Sequence, residues 1–402
     1  MWQTVFYPYR KVLPLIILLY TASLLIGLFL QAHPELIEAR QNYGVETTSG
    51  IVYPWHENLS HWDIYNEMQI VREWYTPAHP DLAVKFPFLS GTTRAIWLLT
   101  GGSISLIITL VAKAGLLFGF AEFWRLMTFL KGERFAHRAV CWLAFPFLGT
   151  GYVWLMNYPE GWYLGFWSAA LYLFFRNRDF AAGLAAAAAV LTRPQGMLLT
   201  GVLGLAILWK AFRLEAPTAE KTRYILRRGL AVGLLPVMVW LAWVLHVSDL
   251  VGLELAPYSG QRYWSRTAWV LPWQTLYRFA IRRARLGFNN AAQVIVTAQI
   301  LLMCFSLLYL FRAVRRGKLR GELWLYSLLA LVLPLTSQIV SIGRYALLTV
   351  VPLTPLYLPG RWQRRIARAE PFMWIVLGIL SVALTMIINT VWDVSANLQY
   401  VP

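Results

Sequence analysis

The residues best suited to chemistry lie in one polar and aromatic stretch, His56-Glu57-Asn58-Leu59-Ser60-His61-Trp62-Asp63-Ile64-Tyr65. It belongs to residues 31–94, a region between apolar runs that is rich in carboxylates. A carboxylate can act as general base for an acceptor hydroxyl if it stays ionised and comes within hydrogen-bond distance. We therefore expect Asp63 to be the catalytic base; a solvated loop aspartate is the alternative. The carboxylates of this region are Glu35, Glu38, Glu46, Glu57, Asp63, Glu67, Glu73 and Asp81.

The neighbours of Asp63 have other possible uses. Trp62 could stack on a sugar face or anchor the region at the membrane interface. His56 and His61, with Glu57, could suggest a metal site, but their spacing is too loose for a recognisable ligand set. We expect no metal and no other cofactor.

Two arginines lie in or next to apolar segments, where placing a charge costs free energy. Arg193 interrupts an apolar segment within Thr192-Arg193-Pro194-Gln195-Gly196, and Arg344 precedes Tyr345 in a short turn. Arginines at membrane depth usually face the bundle interior or water, and a guanidinium group fits a phosphate. The pair could clamp a lipid-linked phosphate, with snorkelling to the interface as the alternative. Lys113 is a weaker candidate of the same kind.

One further carboxylate lies in the tight turn Tyr158-Pro159-Glu160. Glu160 could assist Asp63 or bind an acceptor hydroxyl. It could equally complement the dipole of the helix that follows it.

Composition places these residues in a polytopic membrane protein. Of the 402 residues, 58% are hydrophobic and 14% are charged, against about 25% charged in soluble domains. Long apolar runs without strict alternation favour helices over a barrel. The net charge of +17 fits basic cytoplasmic loops better than a nucleic-acid partner, because no basic-aromatic module is present. The two cysteines lie in different apolar runs, so a disulfide framework is not expected.

The order of apolar and basic segments predicts an all-α bundle of about eleven spans, forming a single domain over residues 1–402. The first span, residues 12–30, is expected to be uncleaved, with the N-terminus in the cytoplasm and the chain in the plasma membrane. Residues 31–94 form a large first extracytoplasmic loop. Residues 248–290, rich in Trp and Arg, form a second, interfacial one.

Taken in order, these motifs resemble the GT-C membrane glycosyltransferases, and more narrowly the PIG-V-like family of the second GPI mannosyltransferase, which has bacterial relatives. The resemblance extends over most of the chain, from about residue 60 to 350. The matching segments are Trp62-Asp63-Ile64-Tyr65, Lys85-Phe86-Pro87-Phe88, Tyr158-Pro159-Glu160, Gly183-Leu184-Ala185, Thr192-Arg193-Pro194-Gln195-Gly196 and Gly343-Arg344-Tyr345.

The resemblance implies transfer of mannose from a polyprenyl-phosphate-linked donor to a hydroxyl of a lipid or glycan acceptor at the outer face. Asp63 would be the base, with Glu160 beside it in the catalytic set. The implied substrate-binding residues are His61, Trp62, Tyr65, Arg193, Arg344 and Tyr345. Three rivals stay open: a GT-C enzyme that uses another lipid-linked sugar, a flippase or transporter of a lipid-linked intermediate, and a structural membrane subunit, which needs no Asp63.

Overall fold

The computed structural model describes residues 2–33, 56, 59, 63–260, 271–286, 291–335, 342–358 and 360–390. Throughout this part of the chain every regular element is helical, which confirms the predicted all-α class. Six of the described helices are long and apolar enough to cross a membrane. They are Phe6–Ala32, Ile104–Lys131, Gln195–Phe212, Thr218–Val251, Val296–Arg315 and Gly360–Met386.

The α-helices are numbered in chain order. They are α1 (Trp2–Ala32), α2 (Asp63–Glu73), α3 (Pro87–Thr100), α4 (Ile104–Lys131), α5 (Glu133–Ala144), α6 (Tyr152–Leu155), α7 (Glu160–Phe175), α8 (Asp179–Thr192), α9 (Gln195–Phe212), α10 (Thr218–Gly229), α11 (Leu235–Val251), α12 (Ala256–Ser259), α13 (Pro272–Leu286), α14 (Ala291–Arg315), α15 (Gly321–Leu335), α16 (Ile342–Leu347), α17 (Thr354–Tyr357) and α18 (Gly360–Thr390).

Helices α4 and α7 meet almost backbone to backbone. Each carries two glycines four residues apart, Gly115 and Gly119 on α4 and Gly161 and Gly165 on α7. A Cβ atom at Gly161 would lie 2.5 Å from the backbone nitrogen of Leu116. Small residues at this spacing let membrane helices approach closely. The contact fixes the N-terminal end of α7, where the candidate site begins.

Several predicted boundaries differ from the structure. The sequence predicts a second span within residues 96–120. The structure has two helices there, because Gly101, in the left-handed region at φ 63°, ends α3 before α4 begins. Helix α3 starts at Pro87, inside the region assigned to the first loop. The sequence predicts cytoplasmic loops at the basic segments 210–228 and 361–368, yet these contain α10 and the start of α18. Lys and Arg are good helix formers, so a charge run marks an inner segment without making it a loop. The number of crossings and the side of the N-terminus stay predictions.

The sequence predicts a third span over about residues 139–156, and in the structure this segment is broken. Helix α5 ends at Ala144 before Pro146, and only the four residues of α6 are helical before the turn at Asn157. Irregular backbone at membrane depth needs protein partners for its carbonyl groups. Gln299 Nε2 donates to the carbonyl of Leu148 at 2.9 Å. Lys113 Nζ donates to the carbonyl of Leu155 at 2.8 Å, so helices distant in sequence stabilise this segment.

Candidate active site

The carboxylate of Glu160 lies between two guanidinium groups. Its Oε1 atom accepts a hydrogen bond from Arg193 Nη2 and lies 3.0 Å from Arg344 Nε. Glu160 is completely buried, Arg193 is 7% exposed, and the Arg344 side chain is 15% exposed. These three residues, called the charge cluster below, hold two positive charges and one negative charge away from bulk water. Burial weakens solvent screening of such a group, so its electrostatic effect on a neighbouring ligand is large.

A helical hairpin explains why Glu160 and Arg193 meet. Helices α7 and α8 have 16 and 14 residues and are joined by only three residues, 176–178. With nearly equal lengths, the start of α7 and the end of α8 return to the same level of the bundle. Glu160 is the first residue of α7, and Arg193 directly follows the last residue of α8. Each charge also suits the helix dipole at its position, an acid at an N-terminus and a cation at a C-terminus.

The turn after α8 holds Arg193 in a defined place. The backbone N–H of Arg193 still donates to the carbonyl of Ala189 at 3.0 Å, and Pro194 is the N-cap residue of α9. A Cβ atom at Gly196 would lie 2.6 Å from the carbonyl carbon of Ala189, so α8 and α9 can meet here only through a glycine. The predicted break at this motif is confirmed.

Aromatic rings flank both arginines. The Arg193 Cζ atom lies 5.7 Å from the ring centre of Tyr345, and the Arg344 Cζ atom lies 4.9 Å from that of Tyr158. Contacts at this distance stabilise a guanidinium group through the ring face. Tyr345 was predicted as a site residue, and Tyr158 belongs to the motif that marked Glu160. The structure therefore brings four predicted residues together: Glu160, Arg193, Arg344 and Tyr345.

Asn157 connects the charge cluster to the segment before Asp63. Its backbone N–H lies 3.4 Å from the Leu59 carbonyl, and its Nδ2 donates to Thr109 Oγ1 at 2.8 Å. Helix α2 begins at Asp63, four residues after Leu59. Four residues span at most about 14 Å, so the Asp63 backbone is at the same end of the bundle as Glu160. The Asp63 side chain, and all of His61 and Trp62, lie outside the described residues.

Helix α2 carries a second acid that sequence reasoning did not single out. Glu67 lies one helical turn after Asp63, which places the two on the same helix face. Glu67 is 5% exposed. Burial raises the pKa of Tyr75 well above its usual value, the Glu67 carboxylate raises it further, and a hydrogen bond with Ser90 lowers it. Tyr65, a predicted substrate-binding residue, is half-buried on the same helix.

Asn157 and Lys113 hold the turn before Glu160 in place, a role that the sequence did not predict for either residue. Lys113 was a weak candidate for a phosphate contact, but its amine instead bonds the carbonyls of Leu155 and Met156, at 2.8 and 3.3 Å, and Ser23 Oγ at 3.1 Å. A cation at the end of the short helix α6 holds the turn that leads to Glu160. Within the described ranges, no three His, Cys, Asp or Glu side chains are grouped to hold a metal ion.

Comparisons with known proteins give fold-level likeness only. No family model and no curated protein matches the chain. Solved structures of the Archaeoglobus fulgidus oligosaccharyltransferase AglB are similar. One, with an inhibitory peptide and a dolichol-phosphate, is 12% identical with a TM-score of 0.45, over 100% of this chain and 56% of that one. Another, with Zn and sulfate, is 12% identical with a TM-score of 0.46, over 92% and 53%. The chain spans about half the length of these proteins. Scores this low do not transfer a function, so the function is argued from the chain's own residues.

Proposed function

We propose that this chain is a GT-C membrane glycosyltransferase that moves a mannosyl residue from a polyprenyl-phosphate-linked donor to a lipid or glycan hydroxyl. The reaction takes place at the extracytoplasmic face of the plasma membrane, with the N-terminus in the cytoplasm. The charge cluster is the observation that carries the proposal. Three charged residues from well-separated segments, each marked by a sequence motif, converge at one buried point.

The two arginines suit the donor phosphate. The bond from the sugar to the phosphate oxygen breaks during transfer, and the leaving lipid phosphate gains negative charge. Preorganised guanidinium groups stabilise such a developing charge, and the bidentate geometry of arginine matches a phosphate. With Glu160 between them, the arginines keep one net positive charge. Arg193 and Arg344 would hold the phosphate against Tyr158 and Tyr345.

Glu160 fits a positioning role better than that of a base. Its Oε1 atom contacts both guanidinium groups, and the residue is completely buried. A base must reach the acceptor hydroxyl directly or through one water. Asp63 is the proposed base, because it begins α2 at the same end of the bundle as Glu160. His61, Trp62 and Tyr65 would contact the sugar or the acceptor.

Sugar transfer in isolated membranes tests the proposal. Radiolabelled polyprenyl-phosphate-mannose is supplied, and label entering acceptor lipid or glycan is followed for wild type and Asp63→Asn at matched expression. Loss of a general base lowers the rate by about 10²–10⁴-fold. Asp81→Asn is the matched control, since it removes a carboxylate charge from the same predicted loop. It should leave transfer unchanged.

The rivals predict other results. Competition by an unlabelled polyprenyl-phosphate glucose as strong as that by the mannose donor would favour a different sugar. No transfer by wild type from any lipid-linked sugar would favour a flippase or transporter, in which Arg193 would dominate and Asp63 would be dispensable. Unchanged transfer by Asp63→Asn would overturn the assignment of the base.

A further inference from the structure

A cavity of about 490 Å³ opens at the end of the bundle opposite the charge cluster. It lies where α7 turns into α8, against one face of α10. Seven residues line it: Asn177, Asp179, Glu220, Arg223, Tyr224, Arg227 and Arg228. The connection between α7 and α8 is a basic segment that the positive-inside rule places in the cytoplasm. The cavity therefore faces the inner leaflet of the membrane.

The floor of this cavity is a satisfied ion pair. Arg228 is 7% exposed, its Nε donates to Asp179 Oδ2 at 2.8 Å, and its Nη2 contacts Oδ1 of the same carboxylate. Its Nη1 donates to the hydroxyl of Tyr224 at 2.9 Å. This pair joins the start of α8 to the end of α10. It shapes the cavity while its own charges are already matched.

Beyond that ion pair, the walls carry the arginines Arg223 and Arg227 and the acid Glu220, which leaves one net positive charge. Arg223 and Arg227 are four residues apart on α10, so they share one helix face. Both are exposed, and neither makes an ion pair with another residue in the part of the chain that the structure describes. Two further cations stand nearby on aromatic rings, Lys210 at 5.2 Å from the ring centre of Phe174 and Arg320 at 4.2 Å from that of Phe175.

Large apolar side chains adjoin these charges in sequence and stand exposed. Phe180 follows Asp179 and is 68% exposed, Leu226 precedes Arg227 and is 56% exposed, and Phe212 at the end of α9 is 75% exposed. A site for a soluble anion does not need exposed aromatic and aliphatic neighbours. A phospholipid fits such a surface, with its headgroup phosphate among arginines and its acyl chains against apolar side chains.

We propose that this cavity binds the phosphate headgroup of an anionic phospholipid from the cytoplasmic leaflet. Arg223 and Arg227 hold the phosphate, and the Arg228–Asp179 pair forms the base of the site. Helix α8 runs from this site to the charge cluster, a distance of about 21 Å for its length. The lipid thereby braces the helix that carries Arg193. The assignment does not depend on the proposed transfer reaction.

Lipid binding to the full-length protein in mixed micelles tests the assignment. Phosphatidylglycerol is titrated against phosphatidylcholine, and bound lipid is counted by native mass spectrometry. We expect wild type to prefer phosphatidylglycerol, and Arg223→Gln/Arg227→Gln to bind it about 30-fold more weakly, at roughly a factor of five for each basic residue. Arg364→Gln/Arg368→Gln, an exposed pair with the same spacing on α18, should keep the preference.

Three outcomes would overturn the proposal. Equal loss in the α18 control would mean that only overall charge attracts the lipid. Displacement of the lipid by inorganic phosphate at equal concentration would mean that the site takes a soluble anion. Unchanged binding by the α10 variant would exclude Arg223 and Arg227. Transfer activity is not measured, so failure of the proposed function would leave this result intact.

Discussion

Replacing Glu160 with glutamine tests whether one carboxylate holds two arginines in place. The change keeps the size of the side chain and removes its charge. Arg193 and Arg344 would then remain buried next to each other without their shared counter-charge. Breaking a buried ion pair by removing one partner costs about 3–5 kcal/mol. Because Glu160 is completely buried, screening by water should not reduce this value much.

The arginine variants should lose less stability than Glu160→Gln. In Arg193→Gln or in Arg344→Gln, Glu160 keeps one guanidinium partner, so each should cost only the lost charged hydrogen bond, about 1–3 kcal/mol. The expected order of destabilisation is therefore Glu160→Gln first, with the two arginine variants below it. The order for donor affinity is reversed, because the arginines and not the acid would contact the phosphate.

Denaturation of the purified protein in mixed micelles ranks the variants by stability. Binding of the sugar donor to the folded protein ranks them by donor affinity. Glu370→Gln is the matched control. Glu370 is also a buried carboxylate, 4% exposed, with Arg138 Nη2 at 2.7 Å and Trp142 Nε1 at 2.9 Å. It should lose comparable stability and keep donor affinity. Equal destabilisation by Glu160→Gln and Arg193→Gln would refute the idea of a shared carboxylate.

Three further changes follow from the packing. Gly196→Ala should destabilise the protein by about 1–3 kcal/mol, because the new Cβ would meet the backbone of α8. Gly201→Ala on the same helix has nothing within 4 Å of its Cβ and should stabilise the protein by about 0.5–1 kcal/mol. The denaturation midpoints of the two variants test this difference, and equal midpoints would contradict the packing argument. Lys113→Met removes the amine that donates hydrogen bonds to the Leu155 and Met156 carbonyls. It should lower kcat for sugar transfer and leave the KM for the lipid-linked sugar near its wild-type value, since the charge cluster itself is unchanged. A rise in that KM alone would argue for direct contact between Lys113 and the lipid-linked sugar. Arg193→Lys keeps the charge but loses the fork of donors, and should raise the donor KM by about 10-fold or more; wild-type kinetics would mean that Arg193 does not bind the phosphate.

The sequence was most informative where a charge interrupts an apolar run. Arg193, Arg344 and Glu160 stand out because such residues are rare at membrane depth without a partner or a function. The sequence predicted that Arg193 and Arg344 could clamp one phosphate and that Glu160 could assist Asp63. The shared carboxylate was not predicted, because it depends on the matched lengths of α7 and α8.

The broken third span and the helical basic segments show what composition does not reveal. The apolar residues around Pro146 look like a continuous span, and only distant donors such as Gln299 make a break tolerable. No local pattern identifies a partner 151 residues away. The basic residues of α10 led to the prediction of a loop, because the positive-inside rule assigns a segment to the cytoplasm without predicting its secondary structure.

The irregular segment between α5 and α7 also bears on the order of biogenesis. The Leu148 carbonyl is satisfied by Gln299, which is synthesised 151 residues later, or about 8–30 s later at ordinary rates of translation. The Leu155 carbonyl finds Ser23 and Lys113 on helices made earlier. The part of the segment around Leu155 can therefore pack against α1 and α4 as soon as it is synthesised. The part around Leu148 has its hydrogen-bond donor only after α14 has been synthesised. Truncation before α14 should leave a nascent chain that the insertion machinery has to shield from lipid until translation supplies the missing donor.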